Sequence, residues 1–126
     1  MNETTMIRKK GDITVRPYET CHDGEGILDF TEVLNCENSP QRRLNFIHDD
    51  VLKPGVSVGS HRHERDEEYY YFLSGKGIMI LDGERHAVEE GDLTAVFPGG
   101  SHGLMNTSGE DMRIIVISVR CNCDGP

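Results

Sequence analysis

The stretch "GVSVGSHRHERDEEYYYFLSG", residues 55–75, decides how this chain is read. It places His61 and His63 one residue apart, follows them with a charged turn, and then runs Glu68-Tyr69-Tyr70-Tyr71-Phe72-Leu73 towards Gly75. In an extended strand, side chains at i and i+2 share a face, so His61 and His63 project together while Arg62 points away. Two imidazoles about 7 Å apart at Cα can converge on one cation. Glu68, opening the next strand, would add a hard anionic ligand to two neutral nitrogens, a mixture suited to a divalent first-row metal. Glu64, Asp66 and Glu67 read as a solvated turn. An isolated H-x-H is more often a pair of surface histidines, and three ligands leave a site incomplete.

Outward from this stretch, helical periodicity is scarce. Short segments rich in Val, Ile, Tyr and Phe alternate with turn residues at intervals of about ten, the pattern of an all-β sandwich or barrel. Strands are expected at Ile13–Pro17, Leu44–Leu52, Val56–His63, Glu68–Leu73, Gly77–Leu81, Glu84–Val88, Asp92–Phe97, His102–Asn106 and Met112–Val119. "DGE" at 82–84 between two such runs is a hairpin signal. "GILDFTEVLN" (26–35) reads equally as a short helix or a strand, and "CENSPQRR" (36–43) as a loop. "RIIVISV" (113–119) is apolar at nearly every position, so both its faces need cover. The barrel interior supplies one; residues 1–35 or a second subunit must supply the other, and a homodimer is expected. The chain divides into an N-terminal strand and variable segment (1–35), a barrel (36–120) and a tail (121–126).

A fourth ligand comes from "GDLTAVFPGGSHGLMN", which carries Gly91, Gly99, His102 and Asn106. Together with G-x5-H-x-H-x4-E-x6-G from Gly55 to Gly75, this resembles the two motifs of the cupin superfamily. The first motif matches at every defining position. The second departs in its proline, which stands at Pro98 where the family pattern has position 97, here Phe97; the spacing from Gly91 to His102 is preserved. The resemblance covers Gly55 to Asn106. It implies a small jelly-roll barrel, a double-stranded β-helix, with His61, His63, Glu68 and His102 holding one divalent transition metal ion (Zn, Mn, Fe, Ni or Co). Glu67 is the alternative carboxylate, but alternation turns it away from Glu68's face. Gly55, Gly75, Gly91 and Gly99 are expected at turns with positive φ.

If Glu68 faces the interior, Tyr70 and Phe72 face it too, and Tyr69, Tyr71 and Leu73 face outward. Tyr70 is then either a pocket wall or a catalytic proton donor to a metal-bound substrate. "NFIHDD" (45–50) could add a second-shell group or general base from His48, Asp49 or Asp50, although a solvated strand end is the expectation. His22 and His86 have no metal-like neighbours in sequence and are expected on the surface. Arg42, Arg43 and Arg113 could hold an anionic substrate. Cys21, Cys36, Cys121 and Cys123 form no C-x2-C pair, and free thiols are expected; "CNC" at 121–123 reads as an exposed tail.

The chain has 126 residues, enough for one domain. Its net charge of −9 argues against nucleic acid or an anionic membrane as the main partner. No apolar run approaches a membrane span, and the polar N-terminus lacks a signal-peptide core, so a cytoplasmic protein is expected. Cupins include isomerases, dioxygenases, decarboxylases, lyases, epimerases and non-catalytic binders, so function has to come from the site. The leading expectation is a metal-dependent enzyme on a small polar substrate: a sugar or hydroxy-acid isomerase, epimerase or lyase. The alternatives are a dioxygenase and a non-catalytic small-ligand binding protein.

Overall fold

A computed structural model describes residues 4–121, and among them there is no α-helix. Ten strands run in chain order: β1 (Val15–Glu19), β2 (Ile27–Asn35), β3 (Leu44–Leu52), β4 (Ser57–Arg62), β5 (Asp66–Ser74), β6 (Lys76–Leu81), β7 (Glu84–Glu89), β8 (Leu93–Val96), β9 (Ser101–Met105) and β10 (Met112–Arg120). They form two sheets, a six-stranded one ordered β1-β2-β3-β10-β5-β8 and a four-stranded one ordered β4-β9-β6-β7. The pairings within both sheets are antiparallel. This is the expected jelly roll, a double-stranded β-helix.

The core between the sheets follows from period-two alternation. Along β5, Glu68, Tyr70 and Phe72 are buried while Tyr71 is exposed. Along β10, Met112, Ile114, Val116 and Ser118 point inward and Arg113 outward. Leu52, Phe72, Met79, Leu104 and Met112 have no exposed surface at all (0%). Burying a side chain of this size contributes about 1.5–3 kcal/mol, so these five anchor the sheets against each other.

The segment left open between helix and strand is β2. Leu28 and Phe30 are buried on one face, and Asp29 and Thr31 lie on the other in register with Val51 and Asp49 of β3. The first strand runs from Val15 to Glu19, two residues later than Ile13–Pro17. Both strands extend the six-stranded sheet beside β3, so they do not lie over the outer face of β10. That face, with Ile115, Ile117 and Val119, is only half-buried. Ile115 adjoins Tyr71, which adjoins the exposed Leu93, making an apolar row across three strands.

The turns behave as their residues dictate. Asp82 and Gly83 have φ of 50° and 83°, the pair of positive values that a two-residue hairpin between β6 and β7 requires. Gly55, Gly75, Gly91 and Gly99 all have positive φ. The displaced proline is accommodated: Gly100 N–H donates to Phe97 O at 2.9 Å, with Pro98 and Gly99 (φ 96°) in the two central positions. That is the type II turn, with proline first and glycine second. Cys21 and Cys36 are free thiols. Cys121 is disulfide-bonded, which corrects the expectation of a free thiol there. Cys123 lies outside the described residues.

Candidate metal centre

The four predicted ligands meet where the sheets face each other. His61 belongs to β4, His63 follows its last residue, and His102 is on β9, so the four-stranded sheet supplies three imidazoles. Glu68 reaches across from β5 of the six-stranded sheet. Residues 61 and 102 are register partners, which puts two rings side by side. Backbone bonds hold His63 although it stands outside the strand: its N–H donates to Gly100 O at 2.9 Å, and Gly99 N–H donates to His63 O at 2.7 Å. The ligand atoms of the four residues all lie within 4.8 Å of one another.

The imidazoles are oriented from behind. His61 Nδ1 donates to Gly59 O at 2.8 Å, and His63 Nδ1 donates to Asp66 Oδ1 at 2.9 Å. Neither a carbonyl nor a carboxylate can donate, so both protons sit on Nδ1 and both Nε2 atoms present lone pairs. Yet His102 Nε2 lies 3.1 Å from His61 Nε2 and 3.1 Å from His63 Nε2. Glu68 Oε1 is a further 3.1 Å from His102 Nε2 and 3.8 Å from His63 Nε2. One N–H on His102 can satisfy only one of these neighbours, whereas a cation satisfies all of them. Two ligands about 2.1 Å from one ion at a right angle are about 3.0 Å apart, which matches this spacing. The donor set, three nitrogens and a carboxylate, fits a divalent transition metal.

Asp66 is not a solvated turn residue. Besides holding His63, it accepts from Ser118 Oγ at 3.0 Å, and Ser118 accepts from Asn45 Nδ2 at 3.1 Å. Ser118, 0% exposed in the middle of an apolar strand, is therefore the polar prop behind a carboxylate–histidine pair. An Asp at i+3 of the second histidine was the legible signal. His102 Nδ1 is buried without a hydrogen-bond partner among the described residues, and its ring packs against Tyr70 at 4.7 Å. Glu67 faces outward and accepts from Tyr69 OH at 2.8 Å, as alternation requires.

A cavity of about 100 Å³ opens beside Glu68 and Tyr70. Phe30, Phe46, Leu28 and Val116 make its apolar wall, and His22, His48 and Asp50 its polar one. His48 and Asp50 correct the expectation of a solvated strand end, since both face inward on β3; Asp49 alone points out, to Arg113 at 2.6 Å. Burial pushes the Asp50 carboxyl up to about 7, although Oδ1 accepts from Thr31 N–H at 3.3 Å. Burial likewise pushes the His48 and His61 imidazoles down to about 4. The Cys21 thiol is raised to about 11 by burial, so it is not a thiolate nucleophile at neutral pH. The Tyr70 phenol, buried at 4% exposure and bonded to Glu68, is pushed well above its ordinary value, again chiefly by burial.

His22, expected on the surface without metal-like neighbours, is exposed but stacks on His61, with ring centroids 3.6 Å apart and planes 12° from parallel. His86 is an exposed residue near Glu84. Arg113 is committed to Asp49 on the outer face, and neither Arg42 nor Arg43 lines the small cavity. Larger clefts, about 500 and 1040 Å³, are lined by none of the four predicted ligands.

The model of the cupin domain matches residues 50–118. The chain is a cupin. Over 116 residues it is 28% identical to an oxalate-binding protein of Thermotoga maritima, covering 92% of this chain and 95% of that protein. This cupin also superposes on the crystal structure of a predicted oxalate decarboxylase from Thermotoga maritima. The TM-score is 0.84 at 27% identity, across 92% of this chain and 100% of that one. A tetracenomycin polyketide synthase protein of Streptomyces glaucescens is 26% identical over 85 residues, 68% of this chain and 57% of that protein. In this cupin no helix among the described residues is long and apolar enough to cross a membrane.

Proposed function

We propose that this cupin binds one divalent transition metal through His61, His63, Glu68 and His102 and uses it to take up a small chelating carboxylate of the oxalate class. The observation that carries the reading is the convergence of three Nε2 atoms and one carboxylate oxygen beside a cavity of only about 100 Å³. When bound, the metal would supply Lewis-acid affinity for two ligand oxygens. The chain's own residues would bound and orient the ligand: Tyr70 and Asp50 offer polar contacts, while Phe30, Phe46 and Val116 exclude water. A sugar phosphate fits this cavity poorly, because no lysine or arginine lines it and the volume is small. The likeness to an oxalate-binding protein supports the carboxylate.

A lyase reading comes second. Splitting hydrogen oxalate into carbon dioxide and formate moves one proton to carbon, and Asp50 and Tyr70 both face the cavity as neutral acids able to hold it. Calorimetric titration of oxalate into metal-loaded and chelator-stripped protein tests the main reading. Saturable one-to-one binding that requires the metal is expected. Equal binding by the stripped protein, or none by the loaded protein, overturns it.

A further inference from the structure

The turn that carries His22 is built for placement. Thr20, His22 and Asp23 all have positive φ (45°, 50° and 64°), a conformation that residues with a Cβ adopt rarely. The surrounding backbone holds it there. Thr20 N–H donates to Gly26 O, Ser57 N–H to Glu25 O, and Glu25 N–H to Ser57 Oγ, the last at 2.8 Å. The turn lies directly against β4: a Cβ on Gly59 would stand 1.9 Å from His22 O, and one on Gly24 would stand 2.2 Å from Ser57 O. Two glycines thus permit a backbone-to-backbone contact, two residues ahead of His61, that sets the His22 ring on the His61 ring. Strain that is over-determined by its surroundings accumulates at functional positions.

The stack decides what His22 can reach. A nitrogen lone pair lies in the plane of its ring. A ring nearly parallel to His61 and 3.6 Å from it cannot aim a lone pair at the same ion that His61 would hold. It can address whatever stands one layer further out, on the cavity side that His22 lines. We propose that His22 is a ligand-contacting residue, whose imidazole hydrogen-bonds a carboxylate oxygen of the small chelating acid at the cavity mouth. The proposal rests on the metal-dependent carboxylate reading above. It makes the turn at Cys21–Asp23, which lies outside both cupin motifs, the segment that sets ligand preference.

Two variants test it by oxalate calorimetry together with elemental analysis of metal content. His22→Phe keeps a stacking ring and removes both nitrogens. His22→Gly suits the left-handed backbone and removes the ring, so it covers a fold failure of the first. Both are expected to keep one metal per chain while binding oxalate about 10-fold or more weakly, the effect of one hydrogen bond to a charged group. A phenylalanine variant that binds oxalate like the parent reduces His22 to a packing ring and overturns the proposal. So does loss of the metal from both variants, which makes His22 a prop for His61. Unaffected variants of a parent that binds oxalate remove this proposal alone; a loaded parent that binds none removes it together with the proposed function.

Discussion

Replacing Asp50 with Asn in the metal-free protein should stabilise the fold, and the gain should grow with pH. Asp50 is 4% exposed, and burial raises its carboxyl from 3.8 to about 7. Between those values the native state holds a proton that the unfolded chain has released, so stability falls as pH rises and is lowest above pH 7. The separation of about three pH units, at about 1.4 kcal/mol each, places the full cost of the ionised carboxylate near 4 kcal/mol. By pH 5 about 1.6 kcal/mol of that cost is already present; by pH 8 nearly all of it is. Asparagine retains an oxygen for the Thr31 N–H and never ionises. His48 and every other group are common to both proteins and cancel in the difference. Urea unfolding in the presence of a chelator, at pH 5 and pH 8, should therefore show the Asn variant's advantage growing by about 2.5 kcal/mol. That corresponds to a midpoint gap wider by roughly 1–2 M. A difference between the two proteins that does not change with pH would refute the reasoning, because the carboxyl would then not be perturbed by burial.

Replacing both His61 and His63 with Ala should abolish stoichiometric metal while the β-rich circular dichroism persists; metal retained at one per chain would rule out the ligand assignment. Gly59→Ala should cost about 1–3 kcal/mol in urea unfolding, since its Cβ would stand 1.9 Å from His22 O, and unaltered stability would mean the turn does not dock as described. Tyr70→Phe should leave metal content unchanged and, if oxalate is turned over, slow formate release by about 100-fold. An undiminished rate leaves Tyr70 as a wall residue. Light scattering should give twice the 14.1 kDa of one chain, because the row Ile115–Tyr71–Leu93 on the outer face needs a partner. A monomer mass at high micromolar concentration would leave that row open to solvent.

Much of the fold was legible because its signals are local. Alternation assigned the inward side chains of β5, glycine and Asp-Gly marked the turns, and motif spacing brought His61, His63, Glu68 and His102 to one point. Local signals also account for what was misread. "NFIHDD" looks like a solvated strand end because three of its six residues are a histidine and two aspartates. Only the pairing of β3 with β10, which sets Val116 beside His48 and Ile114 beside Asp50, turns that face inward.

What the sequence by itself determined is most of the strands, their turns and the inward face of β5, since period-two alternation and turn chemistry act over a few residues. The likeness to the cupin motifs named the candidate ligands. Tertiary structure alone decided the surroundings of the ligands. Asp66 became the support of His63 because β10 brought Ser118 to it, 52 residues away in the chain. His22 reached His61 because Gly24 and Gly59 let two backbones touch. No spacing rule records such contacts. They join residues far apart in sequence, and their chemistry changes only when burial removes water: Asp50 is an ordinary carboxylate in the unfolded chain and titrates near 7 only inside the barrel.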